Sequence, residues 1–157
     1  MADLIDQADV EARIGPRCLV DLLDDDGDGI ADASRIAALL TAASKIARGI
    51  LYRAFPSSDQ IDDLVEADEG VKNDVVEIFV GLASGGRPHM LGPDGKSPFS
   101  SWRAEASKRL NAIADAQIRS IGEETAGANQ TLTTTVQPTR TPIFAATADD
   151  PIGPGGF

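Results

Sequence analysis

The feature that most constrains this chain is the spacing of its apolar residues, which recur every three or four positions up to Ile121. This spacing places them on one face of an α-helix. The clearest stripe lies between Asp32 and Phe55, where Pro56 ends the pattern. The sequence therefore predicts a mainly α-helical fold: a small bundle of short N-terminal helices, long central helices and a C-terminal helix.

Capping and helix-breaking residues divide this helical part. Ser57 and Gln60 form the pattern of a capping box, and Gly70 is expected to kink or break the helix that follows. We predict helices over residues 6–14, 17–23, 32–55, 57–85 and 101–121. The last of these is expected to bury one face comprising Trp102, Ala106, Leu110, Ile113, Gln117 and Ile121.

The composition changes abruptly near Gly122. Residues 123–157 contain eight Thr, four Pro and four Gly but one basic residue, Arg140. Thr is β-branched, while Pro and Gly interrupt helices. The sequence therefore predicts a helical domain over residues 1–122 and an extended C-terminal arm over residues 123–157, whose scattered apolar residues need another surface to cover them.

Charge and composition exclude several functional classes. The net charge of −11 disfavours binding to a phosphate backbone. One cysteine, Cys18, and one histidine, His89, cannot build the usual zinc sites. Neither a G-x-S-x-G elbow nor a phosphate-binding loop is present, so we expect no enzymatic activity. The start of the chain lacks a signal-peptide pattern, and we expect a soluble protein assembled in the cytoplasm.

The sharpest local motif is the run of aspartates between the second and third predicted helices. Alternating carboxylates can converge on a hard cation such as calcium, and Gly29 permits the tight turn. In EF-hand order the run lacks the final bidentate Glu, because Arg35 occupies that position. Two interpretations stay open: a weak calcium site, or a solvated acidic turn in which Asp32 caps the next helix. The candidate ligands are Asp24, Asp26, Asp28 and Asp32.

The charges are unevenly distributed along the chain. Residues 1–35 carry ten acids and three basic residues, whereas the last predicted helix is locally basic. Arg103, Lys108 and Arg109 are therefore candidates for contacts with the acidic part of a neighbouring subunit, in a head-to-tail ring. The alternatives are that these charges pair within one molecule or are simply solvated.

Several of these segments together resemble the Mu-like tailed-phage head-tail connector family. In that family a short D-L-x-x-R-x-G helix precedes an aspartate-rich loop and a long helix. Here Val10 replaces the usual Leu, and the middle of the chain does not match clearly. The matching runs are Ile5–Gly15, Leu19–Leu23, Asp24–Asp32 and the helix from Ile36, with Arg140–Phe144 and the final Gly156–Phe157 similar to the family's C-terminal arm.

The resemblance implies a non-enzymatic adaptor in the neck of a virion. Such a protein forms a ring of about twelve subunits between the portal and the tail terminator or another neck protein, and DNA passes through it without sequence-specific binding. Residues of the arm expected to bind a neighbour are Arg140, Pro142, Ile143, Phe144 and Phe157. The alternative is a calcium-binding helical interaction module that uses the Asp24–Asp32 loop.

Overall fold

The computed structural model describes residues 2–85 and 97–134, with side chains described up to residue 123. Within these ranges the chain is helical and contains no strand, so the predicted mainly α-helical class is confirmed. The six helices are α1 (Gln7–Ile14), α2 (Pro16–Leu23), α3 (Ala33–Leu51), α4 (Ser58–Ala67), α5 (Glu69–Ser84) and α6 (Trp102–Thr134).

Local signals define the start of α1 and its junction with α2. The carboxylate of Asp6 accepts a hydrogen bond from the Asp9 N–H, and the Asp9 side chain accepts one from the Asp6 N–H, which completes a capping box. Gly15 ends α1 with a φ of 82°, a conformation that favours glycine. Pro16 then occupies the first position of α2, where its missing N–H costs nothing.

Helix α5 lies at the centre of the bundle. It contacts α1, α2, α3 and α4, and its contact with α3 is the most extensive. Its buried residues occur on nearly all sides, whereas α3 buries the stripe predicted from its periodicity. The buried apolar residues of the two helices are Ile36, Leu40, Ala43, Ala47 and Leu51 on α3, and Val71, Val75, Val76, Ile78, Phe79, Val80 and Ala83 on α5.

The boundary between α4 and α5 differs from the predicted break at Gly70. Asp68 ends α4 and also caps α5, because its side chain accepts hydrogen bonds from the N–H groups of Gly70 and Val71. Gly70 therefore lies within the first turn of α5, where an N-capping carboxylate determines the boundary. The predicted capping box of Ser57 and Gln60 at the start of α4 is confirmed.

Helix α6 packs closely against α5 at Gly81. A Cβ atom placed on Gly81 would lie 2.7 Å from the Arg103 Cβ and 3.0 Å from its backbone nitrogen. Ala106 and Leu110 are buried as predicted, but Ile121 is 48% exposed. The buried part of this face therefore ends before Ile121, and Ala114, which the predicted face omitted, belongs to the core.

The chain separates into two compact units, residues 1–122 and 123–157. Helix α6 continues to Thr134, so residues 123–134 have a helical backbone where the sequence predicts an extended arm. The arm residues expected to bind a partner, from Arg140 to Phe157, lie outside the described residues, as does His89.

Gly81→Ala should destabilise the protein by about 1–3 kcal/mol, because the added methyl group meets the Arg103 backbone and Cβ. Gly49→Ala is the matched control within α3, since nothing lies within 4 Å of its added Cβ. We expect that control to stabilise the protein by about 0.4–1 kcal/mol. Urea unfolding of both variants measures the difference, and equal effects would contradict the close approach of α5 and α6.

Candidate functional site

The aspartate loop joins α2 to α3 and is closed by its own backbone. The Asp32 N–H donates to the Leu23 carbonyl across 3.0 Å, which brings the two helix ends together. Gly27 and Gly29 have φ angles of 78° and 81°. Both positions require the left-handed conformation that glycine adopts without strain, and this explains the alternation of Gly with Asp.

Within this loop, Asp24 organises the turn. Its Oδ1 accepts from the Gly27 N–H at 2.6 Å and its Oδ2 from the Gly29 N–H at 2.9 Å. The Gly29 hydrogen bond is the largest cause of the lowered pKa of Asp24. Because a lowered pKa favours the ionised form, these contacts stabilise the folded loop at pH values above the pKa that Asp24 has in the unfolded chain. Their contribution is lost as the pH falls through the lowered value.

Two further carboxylates make short-range turns of the same kind. Asp26 accepts from the Asp28 N–H at 3.2 Å, and Asp28 accepts from the Ile30 N–H at 2.8 Å. Arg35, in the position where an EF-hand would carry its bidentate Glu, forms an ion pair with Asp25. The backbone N–H donors and Arg35 therefore reduce the repulsion among the carboxylates of the loop.

The structure brings three of the four predicted metal ligands together. Carboxylate oxygens of Asp24, Asp26 and Asp28 lie within 4.8 Å of one another; Asp26 and Asp28 are exposed, and Asp24 is half-buried. Asp32 is not part of this group, because it has the position of the α3 N-cap. Its side chain makes no capping hydrogen bond, so the predicted capping by Asp32 is also absent. Three convergent carboxylates can bind a divalent cation, but they form an incomplete ligand set.

A second polar cluster connects α1, α5 and α6 around Glu77. Arg13 of α1 donates to Glu77 Oε1 at 2.7 Å, and Arg109 of α6 forms an ion pair with Glu77 Oε2. Arg109 also donates to Asp74 Oδ1 at 2.6 Å. The Arg13 guanidinium lies 5.7 Å from the centre of the Trp102 ring, at the start of α6. Two arginines thus pair with acids that α5 buries.

Of the three basic residues expected to contact a neighbouring subunit, Arg109 belongs to this cluster and pairs within its own chain, which is one of the alternatives that the sequence leaves open. Arg103 and Lys108 are exposed. Burial raises the pKa of Asp74, and the hydrogen bond from Arg109 opposes that rise. Removal of Arg109 would therefore leave Asp74 without the donor that favours its ionised form.

Cys18 is partly buried, and burial raises the pKa of its thiol, which disfavours the reactive thiolate. Among the described residues, the convergent Asp24 group is the one cluster of His, Cys, Asp and Glu side chains close enough to hold a metal. Arg48 on α3 is a buried arginine that sequence analysis did not identify.

Comparison of the chain with protein families, curated proteins and solved structures finds no match. In the part of the chain that is described, no helix has the length and apolar character needed to cross a membrane.

Arg109→Gln should lower the free energy of unfolding by about 1–3 kcal/mol, since Asp74 and Glu77 would keep their buried positions with fewer donors. The estimate is below the cost of breaking a fully buried pair because the Arg109 side chain is 47% exposed. Lys108→Gln, on the same helix, is the matched control and should change stability by less than about 0.5 kcal/mol. Equal urea midpoints for the two variants would contradict a structural role for Arg109.

Proposed function

We propose that this protein is a structural head-tail connector of a tailed bacteriophage or prophage, with no enzymatic activity. In this role, copies of the chain form a ring between the portal and the tail terminator or another neck protein. The assembled ring lies in the virion neck, after assembly in the host cytoplasm, and DNA passes through it without sequence-specific contacts.

The observation that carries the proposal is the ordered series of motifs over residues 5–55. The family-like runs correspond to α1, α2, the aspartate loop and α3, in that order and without interruption. The two glycines that the loop requires at positive φ, Gly27 and Gly29, belong to the same motif. Because the glycines and carboxylates of this motif each have a defined role in the turn, the motif is a more specific signal than a segment that is merely rich in acidic residues.

The charge of the chain also supports a role in DNA passage. Its net charge of −11 repels a phosphate backbone, so a ring of such subunits would offer DNA few attractive contacts along its channel. Ile30, 68% exposed within the acidic loop, and the exposed Arg103 and Lys108 on α6 supply surfaces of different character for neighbours in an assembly. These features fit an adaptor.

The proposal predicts that the full-length protein forms rings on portal particles from the same genome, seen by negative-stain electron microscopy. Deletion of residues 138–157 should abolish this incorporation, because it removes the apolar residues expected to bind a neighbour. The truncated protein should keep its helical circular dichroism spectrum, since the buried apolar core of the described residues lies between Ile5 and Ala114.

Substitution within the arm provides a sharper comparison than deletion. Ile143→Ala combined with Phe144→Ala should reduce incorporation, whereas Thr139→Ala combined with Thr141→Ala, in the same segment, should not. Normal incorporation of the truncated protein would contradict the role of the arm. Failure of the full-length protein to bind the portal under any condition would contradict the connector function itself.

A calcium-binding interaction module is the second candidate function, and one observation favours it. The oxygens of Asp24, Asp26 and Asp28 converge within 4.8 Å, and Asp26 and Asp28 are exposed to solvent. Oxygen ligands of this kind suit calcium, and the missing bidentate Glu predicts weak affinity. In this alternative the loop is the working site and the portal is not a partner.

If the loop binds calcium, a concentration about tenfold above the Kd should stabilise the protein by about 1.4 kcal/mol. Thermal unfolding with calcium and with chelator measures this effect. Asp28→Ala should remove it, whereas Asp63→Asn, a control on the exposed surface of α4, should retain it. An unchanged melting temperature in calcium for the unsubstituted protein would exclude this alternative at the concentrations tested.

A further inference from the structure

Arg48 is a buried cation whose guanidinium group is only partly paired. Its side chain is 3% exposed, although arginine is seldom buried without full pairing. Nη2 donates to the Ala2 carbonyl at 3.1 Å and to Asp62 Oδ1 at 2.6 Å. Nε and Nη1 are buried and have no hydrogen-bond partner among the described residues. Buried donors of this kind indicate that an ion or a water molecule binds beside them.

The start of the chain covers Arg48 and leaves room for only a small ligand. The Leu4 N–H donates to Ser44 Oγ at 2.9 Å, and the next residue, Ile5, is buried in the core. These contacts hold the first residues against α3. The cavity between this segment and α3, hereafter the Arg48 cavity, has a volume of about 40 Å³. Since roughly 10–15 Å³ holds one water molecule, the cavity admits a few waters or a single-atom ion, and a peptide does not fit.

The groups that line the Arg48 cavity favour an anion over water. The lining residues with polar side chains are Asp3, Thr41, Ser44, Lys45 and Arg48. Two cations against one carboxylate give this lining an excess of positive charge, in a chain whose net charge is −11. Ser44 Oγ already accepts the Leu4 N–H, so its own hydrogen is available to a ligand. An anion accepts from all of these donors, whereas a water molecule must also place its own hydrogens.

The two nearby carboxylates oppose such an anion only weakly. Asp62 pairs with Arg48 through Nη2, lines a separate cavity of about 330 Å³, and is 47% exposed. Asp3 is exposed and accepts a hydrogen bond from Thr41. Solvent screens exposed charges much more than buried ones, and the same screening weakens the attraction of the exposed Lys45. Buried Arg48 is therefore the least screened charge at the cavity, and its sign favours an anion.

We infer that the Arg48 cavity binds a small monovalent anion of the halide class, such as chloride. The anion accepts hydrogen bonds from a free Arg48 N–H and from the Ser44 hydroxyl, and the Lys45 ammonium adds a weaker attraction. Bound there, the anion links the start of the chain to the middle of α3. This site goes beyond the proposed function and does not depend on it.

Unfolding of the full-length protein in sodium chloride and in sodium gluconate, at equal pH and ionic strength, tests this site. Gluconate is too large for the Arg48 cavity. A ligand that binds only the folded state stabilises it by mass action, so chloride at ten times its Kd should raise the folded-to-unfolded ratio about tenfold over gluconate. Bromide should act in the same way, and both effects should saturate. Equal stability in the chloride, bromide and gluconate salts would overturn the inference.

Substitutions that keep the pair between Arg48 and Asp62 assign the effect to this cavity. Ser44→Ala removes a donor and Lys45→Gln removes a charge, so each should raise the chloride concentration needed for half of the effect. Lys108→Gln, which removes an exposed lysine of α6, is the matched control for Lys45→Gln and should leave that concentration unchanged. A chloride effect that is the same in all three variants would place the ion elsewhere and overturn the inference.

Crystals of the full-length protein grown in sodium bromide locate the ion directly, because bromide scatters anomalously and water does not. We expect an anomalous peak within hydrogen-bonding distance of the Arg48 guanidinium and the Ser44 hydroxyl. Density for a water molecule at Arg48, with no anomalous peak there, would overturn the inference even if the unfolding experiments show an effect of halide.

Discussion

The burial of α5 imposes the main physical requirement on this fold. Helix α5 contacts α1, α2, α3 and α4 and is therefore shielded from solvent on most sides. It nevertheless carries two acidic residues, Asp74 and Glu77, which are only 5% and 9% exposed. Buried carboxylates are costly unless they are paired. Arg13 of α1 and Arg109 of α6 supply the partners, so these ion pairs link both helices to α5.

Structural features that depend only on residues close together in the sequence could be predicted. The apolar stripe of α3, the Ser57 capping box and the stop at Gly15 each depend on residues within one or two turns. The break predicted at Gly70 lies two residues earlier, at Asp68, because a glycine in a first turn is tolerated when a carboxylate caps the helix.

Interactions between distant parts of the chain could not be predicted in this way. Arg13 and Glu77 are far apart in sequence, and nothing in their neighbourhoods identifies one as the partner of the other. The sequence left open whether the basic residues of α6 contact a neighbouring subunit or pair within one molecule, and Arg109 pairs with Asp74 and Glu77 of its own chain. The candidate site was predicted better, since alternating carboxylates in one loop converge locally. Asp32 was the exception, because it lies at the start of α3.

The close contact between Gly81 and Arg103 determines how the chain should respond to changes in the length of the segment between α5 and α6. It fixes the first turn of α6 against α5 by direct backbone proximity, independently of the residues that connect the two helices in sequence. The length of a connecting segment has only a weak effect on stability, about 0.6 kcal/mol for each doubling. Insertions between the two helices should therefore leave the α5–α6 packing intact, which makes this connection a tolerant place for an engineered tag.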